Sequence, residues 1–86
     1  MIDILDTWYD HRRYTAISAD EVRKLPDGSP VIRLWADRYG EPTWAKCVVA
    51  TKGNTRVLRA VLYGTSSEYT IRASAKLRYL VDKLKG

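Results

Sequence analysis

The chain has 86 residues, 45% of them apolar and 29% charged, a composition that fits one small globular domain and excludes two domains, a large buried pocket or a solenoid. Its 15 Lys and Arg against 10 Asp and Glu leave a net charge of +5. The imbalance is lopsided: residues 1–41 hold six basic and eight acidic side chains, net −2, whereas residues 42–86 hold nine and two, net +7. A basic half of this kind attracts phosphate backbones, acidic membrane surfaces and acidic proteins alike, so it ranks classes of partner without choosing one.

In chain order, Ile2, Leu5 and Trp8 or Tyr9 fall at helical spacing and predict a short N-terminal helix or turn. Ser18-Ala19-Asp20-Glu21 is a capping box and predicts a helix from Ala19 to about Leu25. Pro26 and Asp27-Gly28 then turn the chain. From Val31 onward β-branched and aromatic runs are separated by turn residues, the pattern of an antiparallel meander. Strands are expected near Pro30 to Ala36, Thr43 to Ala50, Thr55 to Tyr63 and Glu68 to Ala73, with turns at Asp37 to Pro42, Thr51 to Asn54 and Gly64 to Ser67. Ser74 caps an expected final helix carrying Leu77, Leu80, Val81 and Leu84 on one face. A rival reading stays open, because Thr65-Ser66-Ser67-Glu68 is also a capping box and would turn residues 68–73 into helix.

The expected fold class is mainly β (α+β): a small antiparallel, partly open barrel or meander of four to five strands with one or two short helices. A three-stranded sheet packed by a long C-terminal helix is the alternative. One domain spans residues 1–86, comprising an N-terminal segment 1–17, a helix plus antiparallel strands over 18–73, and a C-terminal helix over 74–86. The order of elements, with Leu25-Pro26-Asp27-Gly28-Ser29-Pro30-Val31 leading into the first strand and Glu68-Tyr69-Thr70-Ile71-Arg72 near the end, resembles the small β-barrels of the Src-homology, Tudor and KOW type over roughly residues 18–79. The resemblance implies architecture and binding to nucleic acids, peptides or modified side chains. It carries no functional residue onto this sequence, which has no proline-peptide motif, aromatic cage or KOW basic loop.

Alternation divides the strands into two faces. Ile32, Leu34, Ala36, Ala45, Cys47, Val49, Leu58, Ala60, Leu62, Tyr69, Ile71 and Ala73 form an apolar face, the expected core. The other face interleaves aromatic and basic residues, as a single-strand nucleic-acid platform requires, since rings stack on bases while cations neutralise phosphates. Trp35, Trp44 and Tyr63 are the stacking candidates, and Arg33, Lys46, Arg59 and Arg72 their phosphate partners, with Lys52 and Arg56 at a hairpin end. Whether Trp35 and Trp44 stack on bases or pack in a second core stays open. Trp8 to Tyr14 forms a second aromatic and basic cluster, read as a terminal segment anchored by Trp8 and Tyr14 with Arg12 and Arg13 in water.

Nothing in the chain has catalytic spacing: there is no phosphate-binding glycine loop, no nucleophile elbow, and His11 lacks a nucleophile or carboxylate to serve. Cys47 alone excludes an intrachain disulfide, and its distance from His11 excludes a four-ligand zinc spacing, so no metal or cofactor is expected. No apolar run has membrane-spanning length, and the acidic start lacks the features of an export signal. The expectation is a cytoplasmic, non-catalytic nucleic-acid-binding accessory or regulatory protein, not associated with membranes. The alternative is a small protein-interaction module that docks on and modulates a larger enzyme or assembly, a type suited to a virus or mobile element.

Overall fold

A computed structural model describes residues 4–62 and 65–83. The chain opens with a single 3₁₀ turn, Ile4–Thr7, where the Thr7 hydroxyl donates to the Ile4 carbonyl at 2.6 Å. Strand β1, Tyr14–Ile17, follows, and then helix α1, Ala19–Arg23, whose start is the expected capping box. There the Glu21 amide donates to Ser18 Oγ at 3.1 Å and the Ser18 amide to Glu21 Oε1 at 3.3 Å, satisfying two amides that the first helical turn leaves orphaned. The remaining elements are strands: β2, Pro30–Ala36; β3, Pro42–Lys52; β4, Thr55–Leu62; β5, Thr65–Thr70; and β6, Leu77–Asp82. They make one open antiparallel sheet in the order β1-β6-β2-β3-β4-β5, so β1 and β5 are its edges. Among the described residues, no helix is long and apolar enough to cross a membrane.

The mainly β class and the middle strands agree with the sequence reading, and residues 68–70 are strand, paired with β4 through Arg59↔Glu68, Leu58↔Tyr69 and Val57↔Thr70. The expected C-terminal helix is corrected: residues 77–82 form β6, which pairs with β1 on one side and β2 on the other. Ser74 closes a turn in place of a cap, its hydroxyl accepting the Lys76 amide at 3.1 Å. The ambiguity has a physical origin. A strand covered on both faces shows no alternation, so Leu77, Leu80 and Val81 satisfy helical spacing equally well. Leu77 and Tyr79 are buried on one side of the sheet and Leu80 on the other. Leu84, also assigned to that helix, and Ile2, Tyr63 and Gly64 lie outside the described residues, as do the side chains of Val61 and Leu62.

A second correction concerns which face β2 presents. The register is Val31↔Cys47, Arg33↔Ala45 and Trp35↔Thr43 on one side, and Ile32↔Lys46 and Leu34↔Trp44 on the other. Val31, Arg33 and Trp35 therefore share a face with Ala45, Cys47, Val49, Leu58 and Ala60, whereas Ile32 and Leu34 do not. The loop sets this parity. Asp37 accepts the amides of Tyr39 at 2.8 Å and Glu41 at 2.9 Å on Oδ1, and Gly40 takes φ +77, a left-handed conformation open to glycine at little cost. The resulting five-residue connection pairs even positions with even ones. At the next hairpin Gly53, φ +62, and Asn54 make a two-residue turn, which pairs even with odd.

The sheet thus has two cores. Val22 and Ala19 of α1 cover Val31, Ala45, Cys47, Val49, Leu58, Ala60, Ile71, Leu77 and Tyr79 on one face. On the other face Leu5 of the 3₁₀ turn covers Leu34 and Leu80, flanked by Trp8, Tyr9, Tyr14 and Ile32. The sheet curls toward α1. Trp35 on β2 and Tyr69 on β5 lie three strands apart, about 14 Å in a flat sheet, yet their ring centroids are 5.8 Å apart. Truncating Leu80, fully buried on the inner strand β6, is expected to cost about 2–5 kcal/mol; urea unfolding of Leu80→Ala measures it.

Candidate nucleic-acid interface

The curl and the register divide the expected platform between two sides of the sheet. On the convex side, away from α1, β3 presents Trp44, Lys46 and Val48 in a row about 6.8 Å apart. Trp44 and Val48 are each 41% exposed, and Lys46 is exposed with no ion-pair partner among the described residues. Arg59 lies opposite Val48 on β4, and Lys52 continues the β3 row past Ala50. Tyr14 on β1 flanks the other end, its ring centroid 6.4 Å from that of Trp44. A shallow cleft of about 150 Å³ beside this row is lined by Arg13, Tyr14, Ile32, Lys46 and Leu80 among others.

Glu68 tempers the charge of this face. Its carboxylate takes Lys52 Nζ at 2.8 Å on one oxygen and Arg59 Nη2 at 2.9 Å on the other. The bonds from Lys52 and Arg59 hold its carboxyl below the ordinary carboxylate range. With the folded-state pKa depressed, the contribution of these pairs to stability is present at neutral pH and fades as pH falls through that lowered pKa. At neutral pH the three groups together carry a single positive charge.

On the concave side, Arg33 and Trp35 sit with α1 and the main core, on the face opposite Trp44. The Arg33 guanidinium carbon lies 4.4 Å from the Trp35 ring centroid and 4.5 Å from that of Tyr69, a cation in contact with both of two neighbouring rings. Its Nε is buried with no hydrogen-bond partner. Trp35 is half-buried against the core, which places it there and not on the surface row. Arg56 is also on this side. Its guanidinium donates to Asp27 Oδ1 at 2.6 Å, to Thr51 Oγ1 at 2.8 Å and to the Leu25 carbonyl, so it ties the α1–β2 connection to the β3–β4 hairpin. Arg72 is exposed in the connection after β5.

Of the nine candidate residues, Trp44, Lys46, Lys52 and Arg59 come together on the convex face. Arg33, Trp35 and Arg72 come together at the concave rim, and Arg56 is engaged within the fold. Tyr63 lies outside the described residues. Alternation puts Val48 on the face of Trp44 and Lys46 without marking it as a site residue, and the sequence gives no sign that Tyr14 joins the convex row. Tyr14 was detectable only through β1, which four residues with two exposed in the middle do not announce. In the N-terminal cluster Trp8 and Tyr14 pack against the second core, as expected, and Arg12 pairs with Asp10 at 3.5 Å in solvent, whereas Arg13, expected in water, reaches Asp82 of β6 at 3.4 Å.

Cys47 is buried among the concave core, and desolvation pushes its thiol up to about 11. It is therefore protonated at neutral pH and out of reach of electrophiles. A thiol-reactive dye is expected to label Cys47 in the folded protein no faster than the protein opens, and rapidly in denaturant. Compared with known proteins, the chain matches no protein-family model, no curated protein and no solved structure.

Proposed function

We propose that the chain is a non-catalytic nucleic-acid-binding accessory or regulatory protein that lays a single strand across the convex face of its sheet. The observation that carries this reading is the Trp44-Lys46-Val48 row, an exposed indole beside an ammonium with no ion-pair partner among the described residues, on an inner strand with Arg59 and Lys52 alongside. Such a surface suits bases stacking on a ring while adjacent phosphates meet cations. The likeness to Src-homology, Tudor and KOW barrels belongs to the same reading, since those families include nucleic-acid binders.

A second reading, a module that docks on a larger enzyme or assembly, draws on the apolar half of the row. Trp44, with the apolar surface of Val48 beside it, offers an aromatic anchor of the kind that dominates protein interfaces. The two readings differ in their response to salt. Three phosphate contacts weaken single-strand binding about 20-fold between roughly 50 and 200 mM salt, whereas an aromatic anchor is far less sensitive.

Fluorescence anisotropy with labelled single-stranded and duplex DNA and RNA at those two salt concentrations decides between them. Trp44→Ala is expected to weaken single-strand binding by roughly 5- to 100-fold. Glu68→Gln, which releases Lys52 and Arg59, is expected to tighten it by about two- to fivefold. Absence of binding at the lower salt overturns the proposal and leaves protein docking as the use of the row.

A further inference from the structure

We propose that the concave rim carries a second site, a cleft that binds a phosphoryl dianion between Arg33, Arg72 and Lys76. The cleft has a volume of about 380 Å³ and is lined by Arg33, Trp35, Arg72, Ser74 and Lys76, closed by Ala36 and Leu77. Its three cations come from separate parts of the chain, β2 and two positions of the β5–β6 connection, and no carboxylate is among its lining residues. None of the three makes an ion pair among the described residues, although seven other basic side chains each find a carboxylate partner there. Asp37, which borders the adjoining cleft with Lys76, has committed Oδ1 to the Tyr39 and Glu41 amides.

Convergence of like charges without a counterion is unfavourable, the more so where solvent is partly excluded. Arg33 shows that exclusion: its Nε is buried and makes no hydrogen bond. Packed against both Trp35 and Tyr69, its guanidinium has lost some of its freedom before a ligand arrives, which lowers the entropic cost of binding.

The backbone that supplies the other two cations is tied down as well. The buried Tyr79 hydroxyl donates to the Arg72 carbonyl at 3.0 Å and accepts the Arg72 amide at 2.9 Å. Arg23 Nη2 donates to the Ile71 carbonyl at 2.6 Å, and Ser74 Oγ accepts the Lys76 amide at 3.1 Å. With its oxygen accepting from the backbone, the Ser74 hydroxyl keeps its proton for an oxyanion. Two guanidinium groups, an ammonium and a hydroxyl donor match a tetrahedral dianion with several acceptor oxygens. The site uses none of the convex row, so its failure and that of the convex reading are separable.

The test is isothermal titration at low ionic strength with three probes: inorganic phosphate, adenosine 5′-monophosphate and adenosine. Phosphate and the monophosphate are expected to bind and adenosine not to. Equal affinity for the first two identifies free phosphate as sufficient, and tighter binding of the monophosphate identifies a phosphate-ester end. Arg72→Gln and Lys76→Gln, both at exposed positions, are each expected to weaken binding about tenfold, while Arg12→Gln in the N-terminal segment, part of neither site, leaves it unchanged. Absence of binding by both phosphate and monophosphate overturns the proposal. So does adenosine binding as tightly as its monophosphate, or affinity unmoved by Arg72→Gln and Lys76→Gln in variants that retain the native thermal transition.

Discussion

The insertion of β6 between β1 and β2 is the constraint on which the molecule depends. Without it β1 has no partner, Leu34 has no Leu80 across the convex core, and the Trp35 side of β2 loses Leu77. Because β6 is covered on both faces, one strand serves two cores at once. Its Tyr79 also reaches back to fix Arg72, so the strand that completes the sheet also shapes the rim of the concave cleft.

Much of this was legible in the residues. The capping box at Ser18, the punctuation at Pro26 to Gly28 and the Gly53-Asn54 hairpin each act through neighbours in sequence, and each element they bound was placed within a few residues. What escaped depended on partners far along the chain. Leu77 to Asp82 has the same apolar spacing as a helix, and only pairing with β1 and β2 distinguishes the two. The face of β2 escaped for a related reason. Val31 and Leu34 are both fully buried, so the strand itself holds no phase, and the phase comes from the Asp37 loop. The structure therefore divides the expected platform between the two sides of one sheet. Trp44, Lys46, Lys52 and Arg59 lie on strands whose alternation is one-sided and could be read; Arg33 and Trp35 lie on the strand where it could not.

The two sides treat their cations differently. On the convex face Glu68 neutralises part of the charge in solvent, where pairs are weak and exchange readily. On the concave rim Arg33 packs on two aromatic rings and the backbone bearing Arg72 and Lys76 is tethered, with no carboxylate among the residues lining the cleft.

The strand order also governs how the sheet is assembled during synthesis. β2 to β5 form a simple meander in which each strand pairs with the one made just before it, so this part can begin to zip as it leaves the ribosome. β1 is made first but neighbours only β6, across more than sixty residues of chain by the pairing of Ile17 with Tyr79. Until residues 77–82 emerge, the inner edge of β2 stays open with Leu34 uncovered on one side. The nascent chain therefore passes through a stage with a sticky, unpaired edge, the state in which a strand from another chain competes with its own.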